Sequence, residues 1–180
     1  TGQLKGGLGS ASTILSNGTI VGALVVVNAM GNVVDPVSGK FWAAPFELED
    51  EFGGYGPPVN AIPGSMLQYS KLNSIKEGAN STIGIVATNA RITKSEAKRI
   101  ATSAHDGFSR AILPAHLPYD GDLIFAVSTD EIETAHSNED FAELCHLSSV
   151  TMSRAIARAI YHASPRANDT LNCFQDKYKK

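Results

Sequence analysis

Long hydrophobic runs, paired cysteines and a surplus of basic charge are all missing from this sequence of 180 residues. No apolar stretch approaches the roughly 18 residues of a membrane-spanning helix, so no membrane partner is expected. The two cysteines, Cys145 and Cys173, fit no metal-ligand spacing. Cys145 lies in an apolar helical pattern and reads as a buried thiol. A net charge of −3 gives no general attraction to nucleic acid. No secretory leader pattern opens the chain, which makes a cytoplasmic location the expectation. Phosphate-binding fingerprints are missing too. Lys5-Gly6-Gly7-Leu8-Gly9-Ser10-Ala11-Ser12 is glycine-rich with one cation but has neither Walker nor Gly-x-Gly-x-x-Gly spacing, and it reads as a flexible turn. No cofactor and no metal are expected.

What is present suits one globular core: 43% of positions are hydrophobic and 18% charged. Thr19 to Val27 is apolar and β-branched almost throughout, the signature of a strand buried on both faces, and it ends at the polar Asn28. From Gly31 to Gly64 the texture changes to Gly/Pro punctuation with an acidic knot at Glu47, Glu49, Asp50 and Glu51. That pattern predicts a surface excursion over 31–64, then a short helix from Met66 to Ile75. Thr82–Thr88 is a second apolar strand. Thr93-Lys94-Ser95-Glu96 is a capping box ahead of a helix with one apolar face, stopped near Pro114. Leu123–Val127 is a third strand. A last helix is expected from about Ser137 to Ala163, followed by a solvated tail at Lys177–Lys180. Strands that are apolar throughout, alternating with small-residue helices, mean an α/β chain whose sheets are covered by helices.

Chemistry gathers at strand ends. Asn80-Ser81-Thr82 puts a hydroxyl residue directly before a strand. If the Asn80–Ser81 bond breaks, Ser81 acquires a free α-amine beside its own hydroxyl, so one residue supplies nucleophile and base. The other reading, an Asn-Ser loop before a buried strand, stays open at this level. Asp120-Gly121-Asp122 precedes the third strand; in extended backbone both carboxylates share a side, and mutual repulsion separates their pKa values. A simple solvated turn accounts for them equally. His105, at the edge of an apolar helix face, and His116, in the following loop, read as structural.

In chain order, Lys-Gly-Gly-Leu-Gly-Ser-Ala-Ser at 5–12, Val-Val-Val-Asn ending at Asn28, Gly-Ala-Asn-Ser-Thr at 78–82 and Asp-Gly-Asp-Leu-Ile-Phe-Ala-Val at 120–127 resemble the D-aminopeptidase/esterase family of autoproteolytic peptidases. That family includes β-peptidyl aminopeptidases and the nylon-oligomer endo-hydrolase. The resemblance implies an αββα sandwich of the aminopeptidase/ornithine acetyltransferase type. It puts Ser81 at the nucleophile, Asn80–Ser81 at the self-cleavage bond, Asn28 at the oxyanion and Lys5 at a catalytic lysine. It divides the chain into 1–80, the end of an α-subunit, and 81–180, a β-subunit. The aminopeptidase branch carries Ser and Glu where this chain has Asp120 and Asp122, whereas the nylon-oligomer branch has two aspartates but a Thr nucleophile. The implied function is a self-processing serine amide hydrolase acting on small peptides or amides, assembled from its cleaved subunits into a tetramer-like homo-oligomer. An acyltransferase of the ornithine acetyltransferase type and a non-catalytic module on the same fold are the alternatives. Family members carry a long segment ahead of Lys-Gly-Gly, so a chain entered mid-domain is expected.

Overall fold

A computed structural model describes residues 1–59, 63–74, 80–133 and 137–179. Four strands, β1 (Gly7–Ile14), β2 (Ile20–Asn28), β3 (Ser81–Ala90) and β4 (Leu123–Ile132), form one sheet in that order. The β1/β2 and β2/β3 pairs are antiparallel, and β3/β4 is parallel. A parallel pair needs a crossover. Helix α1 (Lys94–Ala111) supplies it, starting at the Thr93/Glu96 capping box. Helix α2 (Asn138–Tyr161) lies over β1 and β2, beside α1, and a short α3 (Phe174–Tyr178) follows. Both long helices cover the same sheet face, where Val21, Val25, Val86, Phe108 and Met152 are buried. The architecture is mixed α/β, and within the described residues it comprises one sheet and one helical layer of a sandwich.

Three expectations need correction. The glycine-rich segment is not a flexible turn but the edge strand β1. Its glycines serve proximity: a Cβ at Gly7 would run into the Ala159 carbonyl of α2, and one at Gly9 into the Ala155 carbonyl. Small residues on both partners let the backbones touch. The strand ending at Asn28 is buried on one face alone, since Ile20, Leu24 and Val26 are exposed beside Leu8, Ile83, Ile85, Leu123 and Phe125. Alternation is hidden there because both faces carry apolar side chains. The segment after Gly31 is no surface excursion either. Val33, Val34, Phe41, Ala43 and Phe52 are buried. Phe41 packs against Phe52 at 5.2 Å and against Phe174 at 4.8 Å between ring centroids.

Smaller differences follow from the same packing. The expected helix from Met66 is a pair of 3₁₀ segments, Pro63–Tyr69 and Lys71–Ser74, and Ile75 lies outside the described residues. The tail is tied down: Lys177 donates to Gln3 and the Tyr178 hydroxyl to the Pro36 carbonyl. Cys145 is half-buried, with burial raising its thiol pKa, and Cys173 is the buried cysteine. Glu51, from the acidic knot, bridges Arg154 at 2.5 Å and Arg158 at 3.0 Å, while Arg154 also donates to the Ser12 carbonyl on the outer edge of β1. That cap protects an edge otherwise open to strand addition. Among the described residues no helix is long and apolar enough to cross a membrane.

The tight β1/α2 contact yields a stability prediction. Gly9→Ala should destabilise the fold by about 1–3 kcal/mol, the usual cost of overpacking, because backbone rather than a flexible side chain must yield. Urea unfolding of both proteins measures it; an unchanged midpoint would show that helix and strand have slack.

Candidate active site

The sheet register builds the site. Asn28, last in β2, is the direct antiparallel partner of Ser81, first in β3. Side chains of such a pair share a face with Cβ atoms about 5 Å apart. Here the shared face is the one the helices leave open, on which Val26 and Ile83 are exposed. The amide and the hydroxyl therefore stand together at one end of the open face.

The Asp-Gly-Asp turn closes in from the other side, placed by the parallel β3/β4 pairing of Ile83 with Leu123. The Gly121 N–H donates to the Asn80 carbonyl at 2.9 Å, and the Ser81 hydroxyl donates to the same oxygen at 2.7 Å. Gly121 leaves room for this: a Cβ there would lie 2.6 Å from Ser81 Oγ. Asp122, with 6% of its side chain exposed, accepts the Thr82 N–H at 3.1 Å through Oδ1 and meets His116 Nδ1 at 2.9 Å through Oδ2. Asp120 accepts the Met30 N–H at 3.0 Å through Oδ1, while its Oδ2 is buried without a hydrogen-bond partner among the described residues. Burial, aided by the neighbouring Asp122 charge, holds the Asp120 carboxyl above the usual range against the Met30 hydrogen bond.

Lys71 was not singled out from the sequence. Its N–H donates to the Met30 carbonyl at 3.0 Å, and its ammonium donates to Asn28 Oδ1 at 2.7 Å. Burial lowers its pKa, opposed by Asp120 among others. A lone lysine after a Gly/Pro-rich segment carries no local signal, and spatial proximity alone reveals it. Lys5 is arranged differently. Gly6 packs against the backbone of Val27 and Asn28, but the Lys5 ammonium turns to Asp169 at 2.6 Å and to the Ser164 carbonyl at 2.7 Å. Ser81, Asn28, Asp120 and Asp122 are thus brought to one sheet end with Asn80, and the Lys5 charge is engaged elsewhere. His105 packs on Phe108 and His116, and burial lowers its pKa. Among the described residues no group of three or more His, Cys, Asp or Glu is placed to hold a metal.

Comparison with known proteins defines the class. The profile of peptidase family S58 matches residues 1–171, and the chain belongs to that family. An uncharacterised aminopeptidase of Mycobacterium tuberculosis is 45% identical over 131 residues, which are 73% of this chain and 38% of that protein. A 6-aminohexanoate-oligomer endohydrolase of Paenarthrobacter ureafaciens is 32% identical over 122 residues, 62% of this chain and 30% of the enzyme. The chain thus spans well under half the length of these relatives. Among solved structures, the L-aminopeptidase D-Ala-esterase/amidase of Ochrobactrum anthropi, described as a variant of the Ntn hydrolase fold, superposes with a TM-score of 0.55. The match is 17% identical and covers 96% of this chain and 44% of that one. A Pyrococcus horikoshii OT3 protein gives 0.52 at 22% identity over 87% of this chain and 40% of its own. These two matches establish a shared fold.

The half-satisfied carboxylate gives a prediction of its own. Because the folded state binds the Asp120 proton more tightly than the unfolded state, this group favours folding most at acid pH, and that contribution is lost as pH rises through its elevated folded pKa. Asp120→Asn keeps an acceptor for Met30 and removes the charge. Its melting temperature should exceed that of the wild type at neutral pH, with the gap closing on acidification. A variant less stable at neutral pH would show that the charge is compensated.

Proposed function

We propose that the chain is the catalytic portion of a self-processing amide hydrolase whose nucleophile is Ser81 after cleavage of the Asn80–Ser81 bond. The observation that carries this reading is the Asn80 carbonyl oxygen, held by the Gly121 N–H and touched by the Ser81 hydroxyl. The carbonyl thus has an N–H donor already on its oxygen and the attacking hydroxyl beside it. In the first step Ser81 Oγ adds to the Asn80 carbonyl carbon, and the developing negative charge falls where Gly121 donates. The Ser81 nitrogen leaves with a proton, an ester forms, and water hydrolyses it to an Asn80 carboxylate and a free Ser81 amine. Segments 1–80 and 81–180 then belong to separate subunits.

In turnover the Ser81 amine takes the hydroxyl proton as Oγ attacks a substrate amide, the amine product departs, and water releases the acyl group. Asn28 stands opposite Ser81 and supplies an N–H donor to the oxyanion, a contact of roughly 3–4 kcal/mol in comparable sites. Lys71 supports that role by donating to Oδ1, which leaves the amide NH₂ as the donor end of Asn28. Asp122 fixes the backbone immediately after the nucleophile, and Asp120 lends negative potential for the α-ammonium. Lys5 acts in this scheme only if its pairing with Asp169 gives way. The names of the relatives support peptides or other linear amides as substrates. We extend the reading to a homo-oligomer, which the family resemblance implies, and to a cytoplasmic location.

Three outcomes are expected. Wild-type protein should yield Ser81 on N-terminal sequencing, and Ser81→Ala should remain one uncut, inactive chain; a fully active uncut wild type would refute the mechanism. The rate should climb through roughly pH 7–8 as the α-amine loses its proton, with carboxylates raising that value and burial lowering it. A kcat/KM profile on an amino-acid p-nitroanilide tests this, and a limb near pH 6.5 would transfer the base role to a histidine. Lys71→Met should lower kcat about tenfold or more with little change in KM, since it disturbs a contact made in the transition state.

A further inference from the structure

His116 occupies a place that its sequence neighbourhood does not advertise. Its Nδ1 lies 2.9 Å from Asp122 Oδ2, and the other oxygen of that carboxylate receives the Thr82 N–H at 3.1 Å. Thr82 follows Ser81 directly and is wholly buried, so the backbone grip of Asp122 fixes where the Ser81 side chain emerges. The imidazole is itself held, stacked on Phe108 with centroids 5.8 Å apart and planes 22° apart. Its backbone sits in the left-handed region at φ +54°, uncommon for residues other than glycine and one where Asn, Asp and His are enriched. A ring held against α1 thus reaches back to the carboxylate at the start of β4.

We propose that His116 is a positioning residue: by donating from Nδ1 to Asp122 it aims the carboxylate that anchors the nucleophile strand. His116 acts through Asp122 and its ring does not serve as the base for Ser81. Buried carboxylate oxygens are nearly always hydrogen-bonded, and Thr82 and His116 each satisfy one oxygen of Asp122. Without the imidazole, Asp122 either turns away from Thr82 or recruits water, and Ser81 loses its fixed origin. The inference rests on the proposed role of Ser81 for its catalytic consequence but not for its structural one.

The test compares two substitutions that both tolerate a left-handed backbone. His116→Asn retains an N–H donor near the Nδ1 position, whereas His116→Asp offers a carboxylate that repels Asp122. In the full-length protein, self-cleavage and turnover of an amino-acid p-nitroanilide should stay within about threefold of wild type for His116→Asn. For His116→Asp, kcat should fall about tenfold or more at nearly constant KM, the scale of losing a charge-assisted hydrogen bond. Hydrogen exchange of the Thr82 amide, read residue by residue by NMR so that it is visible in cut and uncut chains alike, should accelerate in His116→Asp and not in His116→Asn. On an Asp122→Asn background the His116→Asp change should add little. Equal behaviour of the two His116 variants in processing, turnover and exchange would overturn the proposal, as would full additivity with Asp122→Asn. If Ser81→Ala proves active and processed, the hydrolase reading fails, yet the exchange result still judges His116.

Discussion

The register between β2 and β3 is the constraint on which the rest depends. Asn28 opposes Ser81, and the same alignment carries through Val26/Ile83 and Leu24/Ile85 on the open face and Val25/Gly84 and Val21/Thr88 on the covered one. A slip of one residue would invert every side chain of β3. Ser81 would then point into the helical layer, and Ile83 and Ile85 would collide with it. The burial of Thr82, Val86 and Thr88 therefore secures the position of a hydroxyl several residues away. Packing of the core and placement of the reactive group are one specification.

The crossover through α1 adds a second edge to that specification. Because β4 runs parallel to β3, both strands begin at the same end of the sheet, and the turn entering β4 lies beside the residue entering β3. A Gly between two aspartates suits this corner: the backbone N–H must reach the Asn80 carbonyl while the carboxylates reach Met30 and Thr82. This one turn grips the backbone of other segments, twice by side chains and once by main chain, so the site is held by hydrogen bonds across the sheet rather than within one loop.

Much of this was legible in the sequence, and the reasons for the rest are physical. The capping box at Thr93–Glu96 and the apolar periodicity of α1 are local properties, and α1 lies where they point. So do the strands ending at Asn28 and starting at Ser81. The family match to the chain was legible through four ordered motifs, all at strand ends or edges. β1 was not legible, because a strand rich in glycine and serine owes its state to α2 lying on it rather than to β-propensity. The aromatic cluster of Phe41, Phe52 and Phe174 joins segments more than 100 residues apart, and Gly/Pro punctuation masks it. Lys71 reaches the site from the start of a 3₁₀ segment and His116 from an irregular loop, and no local pattern marks either as a site residue. Tertiary contact alone makes them visible.

The row of glycines facing α2 also bears on how this molecule can vary. Gly7, Gly9 and Gly107 each lie where any side chain would strike the backbone of α2, at Ala159, Ala155 and Ser149 respectively. No conservative replacement exists at such a position, because the neighbour that would have to yield is a carbonyl fixed in a helix. Hydrophobic cores usually drift by trading one side-chain volume for another. Here the spacing between strand, helix and helix is set by main chain alone, so that trade is closed. Lasting change in this layer has to come as a shift of whole elements, which would move the ends of β1 and β2 and carry Asn28 with them.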